Sequence, residues 1–273
     1  MDGTIFQYDF VIKGLLGAIF ASISAGIAGT YIVSRRMVFL SGGITHASFG
    51  GIGIGYYTGI NPIFGAAVFG IMSALGIEYL SVRQRIREDS AIGILWALGM
   101  AVGIIFIYLT PGYTPNLMSY LFGSILTVTN GDIIALGILS AILIAYFSVF
   151  YRTIIYISFD EAYARTYSSY VNFFKYVTTA LMAITIVLNI RMAGVVLVIS
   201  LLTIPPNIAM IFTKRYSMII IWSIVTGFAG TAAGYYVSFV AGIPPGATII
   251  FVLVLLWIIG KLLFTGLKKL KLV

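Results

Sequence analysis

The chain is 273 residues long, 60% hydrophobic and 9% charged, with a formal net charge of +8 and no cysteine. That composition excludes disulfides and thiolate metal sites, and the placement of the charges in short gaps between apolar runs argues against a soluble domain. A bilayer core about 30 Å thick takes about 20 apolar residues of helix, and only helices or closed barrels satisfy the backbone inside it. The sequence therefore predicts an all-α, polytopic helical membrane protein, with residues 1–273 forming one transmembrane domain.

The opening MDGTIFQYDF, residues 1–10, carries Asp2 and Asp9 and no cationic stretch or cleavage site. It reads as a short interfacial segment on the outer side and not as a removable signal peptide. Apolar runs follow at about 11–33, 38–58, 62–81, 91–109, 133–151, 174–189, 193–212, 217–240 and 246–264.

The second run contains LSGGITHASFGGIGIG, with His46, the only histidine. An ionisable group in a span is costly and marks a pathway residue unless it merely hydrogen-bonds a neighbouring carbonyl. Thr45 and a cluster of glycines beside His46 favour the pathway, although most of these glycines suit close helix packing. Glu78, at the end of the third run, is expected to snorkel and pair with Arg83 and Arg85.

Two gaps exceed a simple turn. Between Thr110 and Asp132, the apolar stretch LMSYLFGSILTV is too short to cross and predicts a re-entrant or short outer helix. Between Tyr151 and Phe174, Asp160 stands as an N-cap before Glu161, Ala162, Tyr163, Ala164 and Arg165. An acidic first turn suits the helix dipole. This short helix is either an ordinary surface helix or a docking element for a partner. Further on, Asn189 and Arg191 bracket the end of the sixth run. Pro205-Pro206, ahead of Asn207, predicts a bend and a cavity wall in the seventh.

Of 16 Lys and Arg residues, all but Lys13 and Arg191 lie on one side of this nine-span arrangement, in the gaps after odd-numbered spans and the basic tail 261–273. Lys and Arg in short loops favour the cytoplasmic side. The expected orientation has the N-terminus outside and the C-terminus inside a cytoplasmic (inner) membrane. The positive charge then serves topology and contact with anionic lipid, not nucleic acid. Leu40-Ser41-Gly42-Gly43 spells part of an ATPase signature peptide, yet no G-x-x-x-x-G-K-[ST] loop accompanies it. No H-E-x-x-H, G-x-S-x-G or paired carboxylates are found either, so catalysis by this chain alone is not expected.

Six segments in order carry a resemblance. They are RRMVFLSGGITHASFGGIGIG, DSAIGILWALGMAVG, YLFGSILTVTNGDI, FDEAYAR, MAGVVLVISLLTIPPNIAMIF and GIPPGATIIFVL. Together they are similar to the permease subunits of bacterial ATP-binding-cassette importers for zinc, manganese and chelated iron. The resemblance implies a type II importer in which two copies of the chain form a homodimer around the path. ATPase subunits dock on the cytoplasmic face, and a metal-binding protein docks outside.

It also implies that Asp160 to Arg165, within a cytoplasmic region of about 152–173, form the coupling helix that seats on the ATPase. The path would run along the second span with His46 as a transient metal ligand beside Thr45 and Gly42. No cofactor is expected to be permanently bound, and ATP acts only through the partner. The chain departs from the family pattern at Gly42, where the family places an Asp four residues before the His. An imidazole without that carboxylate is softer and favours zinc over manganese. The alternative cargo is a metal chelate such as a siderophore or cobalamin.

Overall fold

The computed structural model describes residues 9–84, 86–112 and 128–269, and the described residues are helical apart from short connections. In chain order the helices are α1 (Asp9–Ser34), α2 (Val38–Thr58), α3 (Pro62–Val82), α4 (Glu88–Leu109), α5 (Asn130–Val149), α6 (Tyr151–Phe159), α7 (Glu161–Tyr167), α8 (Val171–Phe212), α9 (Tyr216–Ala241) and α10 (Pro245–Lys269). The re-entrant segment expected between Thr110 and Asp132 falls largely on 113–127, outside the described residues, as do Arg85 and the first eight residues.

Local chemistry explains the boundaries. Asn61 caps α3 by accepting from the Ile63 N–H at 2.9 Å, with Pro62 opening the helix. A capping box starts α5: the Thr129 hydroxyl accepts from the Asp132 N–H, and the Asp132 carboxylate accepts from the Thr129 N–H. Gly59 and Gly242 end α2 and α9 in the left-handed conformation.

Among the described residues, seven helices are long and apolar enough to cross a membrane, with α8 counted once. The glycine-rich α2 does not reach that apolarity, although it has membrane-spanning length. Its glycines are used for packing: Gly51 lies against the backbone of Gly65 on α3, and Gly53 against Gly103 on α4. No lipid-facing apolarity is needed in a helix this enclosed by its neighbours.

Helix α8 is two spans joined by one residue. Gly194 adopts φ 76°, ψ 164°, a conformation open to glycine alone. Contacts along α1 show what this does. Asn189 donates to Ser24 at 3.0 Å and Met192 packs on Gly17, so the first limb runs toward the start of α1. By Leu202 the chain is back against Gly29, near the end of α1. The two ends of α8 accordingly share one end of the bundle: Lys175 meets Glu161, and Tyr216, just beyond Phe212, stacks edge-on against Phe159.

The break at Gly194 separates the sixth and seventh apolar runs, and Pro205-Pro206 lie in the second limb. Helix continues through both prolines, which are buried. Proline at 206 leaves the Leu202 carbonyl without its i+4 donor, and that carbonyl abuts Gly29, where only a Cα–H lies in the way. A further break, at Phe150 with φ −100° and ψ 23°, starts the separate α6 at the beginning of the gap that follows the fifth run.

Candidate functional site

His46 sits near the middle of α2, half-buried, on the wall of a cavity of about 140 Å³ enclosed by α2, α3, α4 and α8. The wall is almost wholly apolar, with Phe49, Ala66, Met100 and Val187 among its side chains and Arg191 at its edge. Trp96 of α4 stacks on His46 with ring centroids 4.4 Å apart and planes within 5°. This fixes the imidazole plane while leaving its edge free toward the cavity. Thr45 also lines the cavity, but its hydroxyl donates to the Ser41 carbonyl one turn back at 2.5 Å. Gly42 lies one turn below His46, and a Cβ there would meet the Trp96 ring at 3.7 Å, an ordinary contact.

Of the residues expected along the path, Thr45 and His46 line this cavity and Gly42 does not, and His46 is the imidazole among its described lining. Among the described residues, no cluster of three or more His, Cys, Asp or Glu side chains could hold a metal ion.

Arg191 and Trp96 were not singled out as partners of His46 by sequence reasoning. Trp96 stands on a different helix, and no spacing rule links it to position 46. Arg191 is held 2.8 Å from Asp132, at the start of α5. Here a loop charge expected only to mark the end of a span closes the cavity's edge.

At the end of the bundle where α8 starts and finishes, α7 packs against α6 and the start of α8. Asp160 caps it, accepting from the Tyr163 N–H at 2.9 Å. Ala164 is buried against Ile157 and Val171, whereas Phe159, Tyr163 and Tyr167 are exposed. Glu161 binds Arg165 at 2.6 Å and Lys175 at 2.9 Å. Burial pushes the Glu161 carboxyl up, but the hydrogen bonds from Lys175 and Arg165 outweigh it and hold it below the usual carboxylate range. It is thus an anion at neutral pH.

Glu78 departs from expectation. It is buried, and among the described residues its ion-pair partner is Lys175 at 2.7 Å, Arg85 lying outside them. Snorkelling fails because α8 packs over that end of α3 and supplies the counter-charge from within.

The described residues form a bundle of membrane-length helices with an apolar cavity beside α2 and a short helix at one end. Residues 7–264 match the ABC 3 transport family, and the chain belongs to it. Over 254 residues it is 37% identical to an uncharacterized membrane protein of Synechocystis sp., covering 93% of this chain and 90% of that one. Over 258 residues it is 32% identical to the manganese transport system membrane protein MntC of Listeria monocytogenes, covering 94% and 92%. Among solved structures it resembles PsaBC from Streptococcus pneumoniae in complex with Fab, with TM-score 0.83, 27% identity and coverage of 94% and 92%.

Proposed function

We propose that this chain is the permease of an ATP-driven importer that carries a divalent transition metal across the cytoplasmic membrane by alternating access. The observation that carries the reading is the imidazole of His46, at membrane depth, on the wall of a cavity of about 140 Å³. An ionisable ligand in that position is expensive to keep and is retained for cargo.

The cavity volume favours a bare or partly hydrated ion over a chelate. Sites for drug-sized molecules span about 300–1,000 Å³. The donor set and the relatives then point to different metals. A single nitrogen donor with Gly42 in place of a carboxylate favours zinc, whereas the Listeria relative is named for manganese. Either ion would be held weakly, which suits a conduit, and selection would rest with an external binding protein.

In this reading residues 1–273 act as one permease domain, paired with a second copy as a type II importer. ATP-hydrolysing subunits dock on Asp160 to Arg165, where exposed Tyr163 and Tyr167 supply the contact surface. Their closure moves α7 and exchanges two arrangements of the bundle. The face bearing α7 would be cytoplasmic and the face bearing Gly194 external.

The test is total cellular zinc, manganese and iron by mass spectrometry in a deletion strain and its parent, each metal limiting in turn. A selective fall in zinc or manganese, restored by the intact gene and not by His46→Ala, is the expected result. No change in any metal, with redundant importers removed, would overturn the proposal in favour of a chelate cargo.

A further inference from the structure

Lys175 stands in the first turn of α8 and is 5% exposed, and Glu78 of α3 is 6% exposed. The Lys175 ammonium lies 2.7 Å from Glu78 Oε1 and 2.9 Å from Glu161 Oε2, so one buried cation joins α3 to α7. The Glu161 carboxylate also holds Arg165 and draws Arg35, which follows α1, to 4.0 Å. Arg35 is itself held by the Tyr31 hydroxyl at 3.0 Å. Through these contacts α7 is tied to α1, α3 and α8 at one point.

The same α3 and first limb of α8 continue up the bundle to wall the His46 cavity. Ala66 belongs to α3, and Val187 and Arg191 belong to α8. Val187 also presses on α3 at Gly70, and α3 meets α2 backbone to backbone at Gly65 and Gly51. A pull on Lys175 is transmitted to both walls because close-packed helices shift as bodies and do not deform.

We infer that Lys175 is a positioning residue for transport: its ion pairs with Glu78 and Glu161 latch α7 to the two helices that wall the His46 cavity. This rests on the reading of α7 as the ATPase-docking element. A buried ion pair is a poor stabiliser compared with apolar side chains of the same volume. It is, however, a discrete latch with a bonded and a broken arrangement, which a coupling element requires.

The experiment reconstitutes the permease, co-purified with its ATP-hydrolysing subunit, in proteoliposomes, and measures zinc and manganese uptake together with phosphate release. The double variant Glu78→Gln/Lys175→Met removes both buried charges and is expected to hydrolyse ATP while moving about tenfold less metal per ATP. Lys175→Arg, which keeps the cation, should stay near the wild-type ratio. A double variant with the wild-type ratio overturns the inference, and so does a parallel fall in uptake and hydrolysis, which is the mark of a purely structural pair. If the double variant does not insert, Glu78→Gln alone carries the test, and an unchanged ratio overturns the inference equally. If the wild-type complex moves neither metal with ATP, the proposed function fails first and the latch falls with it.

Discussion

At position 42 the chain has a glycine where the family it resembles has a carboxylate, and the structure shows what a side chain there would meet. The Cβ would touch the Trp96 ring at 3.7 Å, an ordinary contact that leaves in place the ring that stacks on His46. Gly42→Asp would place an oxygen donor one helical turn from the imidazole, on the same face of α2. A mixed oxygen and nitrogen set suits manganese better than a lone imidazole does. The expected outcome is a several-fold rise in the ratio of manganese to zinc uptake, measured with radioactive metal in cells expressing the variant, with membrane yield unchanged. An unaltered ratio would mean that position 42 does not face the cargo. His46 was readable as the one candidate ligand because an ionisable group in an apolar run stands out. Trp96 was not readable, because a stacking partner on another helix leaves no mark in spacing.

At the scale of the element, Gly194 is the residue on which the double limb of α8 depends. Its φ of 76° and ψ of 164° lie where a Cβ is excluded. Gly194→Ala is predicted to cost about 2 kcal/mol, seen as a lower unfolding temperature in detergent. Gly93→Ala is the control: Gly93 is exposed on α4 with nothing within 4 Å of an added Cβ, and alanine is the better helix former. That variant should be neutral or slightly more stable. Equal effects from the two would remove the case for a special backbone at 194. The sequence placed the reversal correctly between the sixth and seventh apolar runs, because Arg191 interrupts them. The prolines at 205 and 206 are accommodated by a close approach of the Leu202 carbonyl to Gly29 that only tertiary contacts reveal. The helix α6 inside the gap after the fifth run was not legible either, as hydropathy does not register a single non-helical residue at Phe150.

Across the whole molecule the loops sort by charge. Arg35, after α1, reaches Glu161; Glu78, near the end of α3, reaches Lys175; and Tyr216, after α8, packs on Phe159. The loops that carry Arg36, Arg83, Arg152, Lys214 and Arg215 therefore meet at the end of the bundle bearing α7. The opposite end holds Arg191, paired with Asp132, and the turn at Gly242. Charge patterning was legible in the sequence because it needs only order along the chain. The buried cluster around Lys175 was not, because a lysine near a span end reads as one more loop charge until α3 and α7 are folded against it. If positive charge sets orientation, the α7 end faces the cytoplasm. The chain has no cysteine, so single replacements report cleanly. Ser169→Cys, in the exposed link after α7, should resist a membrane-impermeant maleimide on intact cells and react after permeabilisation. Ile243→Cys, 46% exposed beyond α9, should react on intact cells. The reverse pattern would invert the molecule and put α7 out of reach of any ATP-hydrolysing partner. The proposed coupling and the topology thus stand or fall on the same pair of labels.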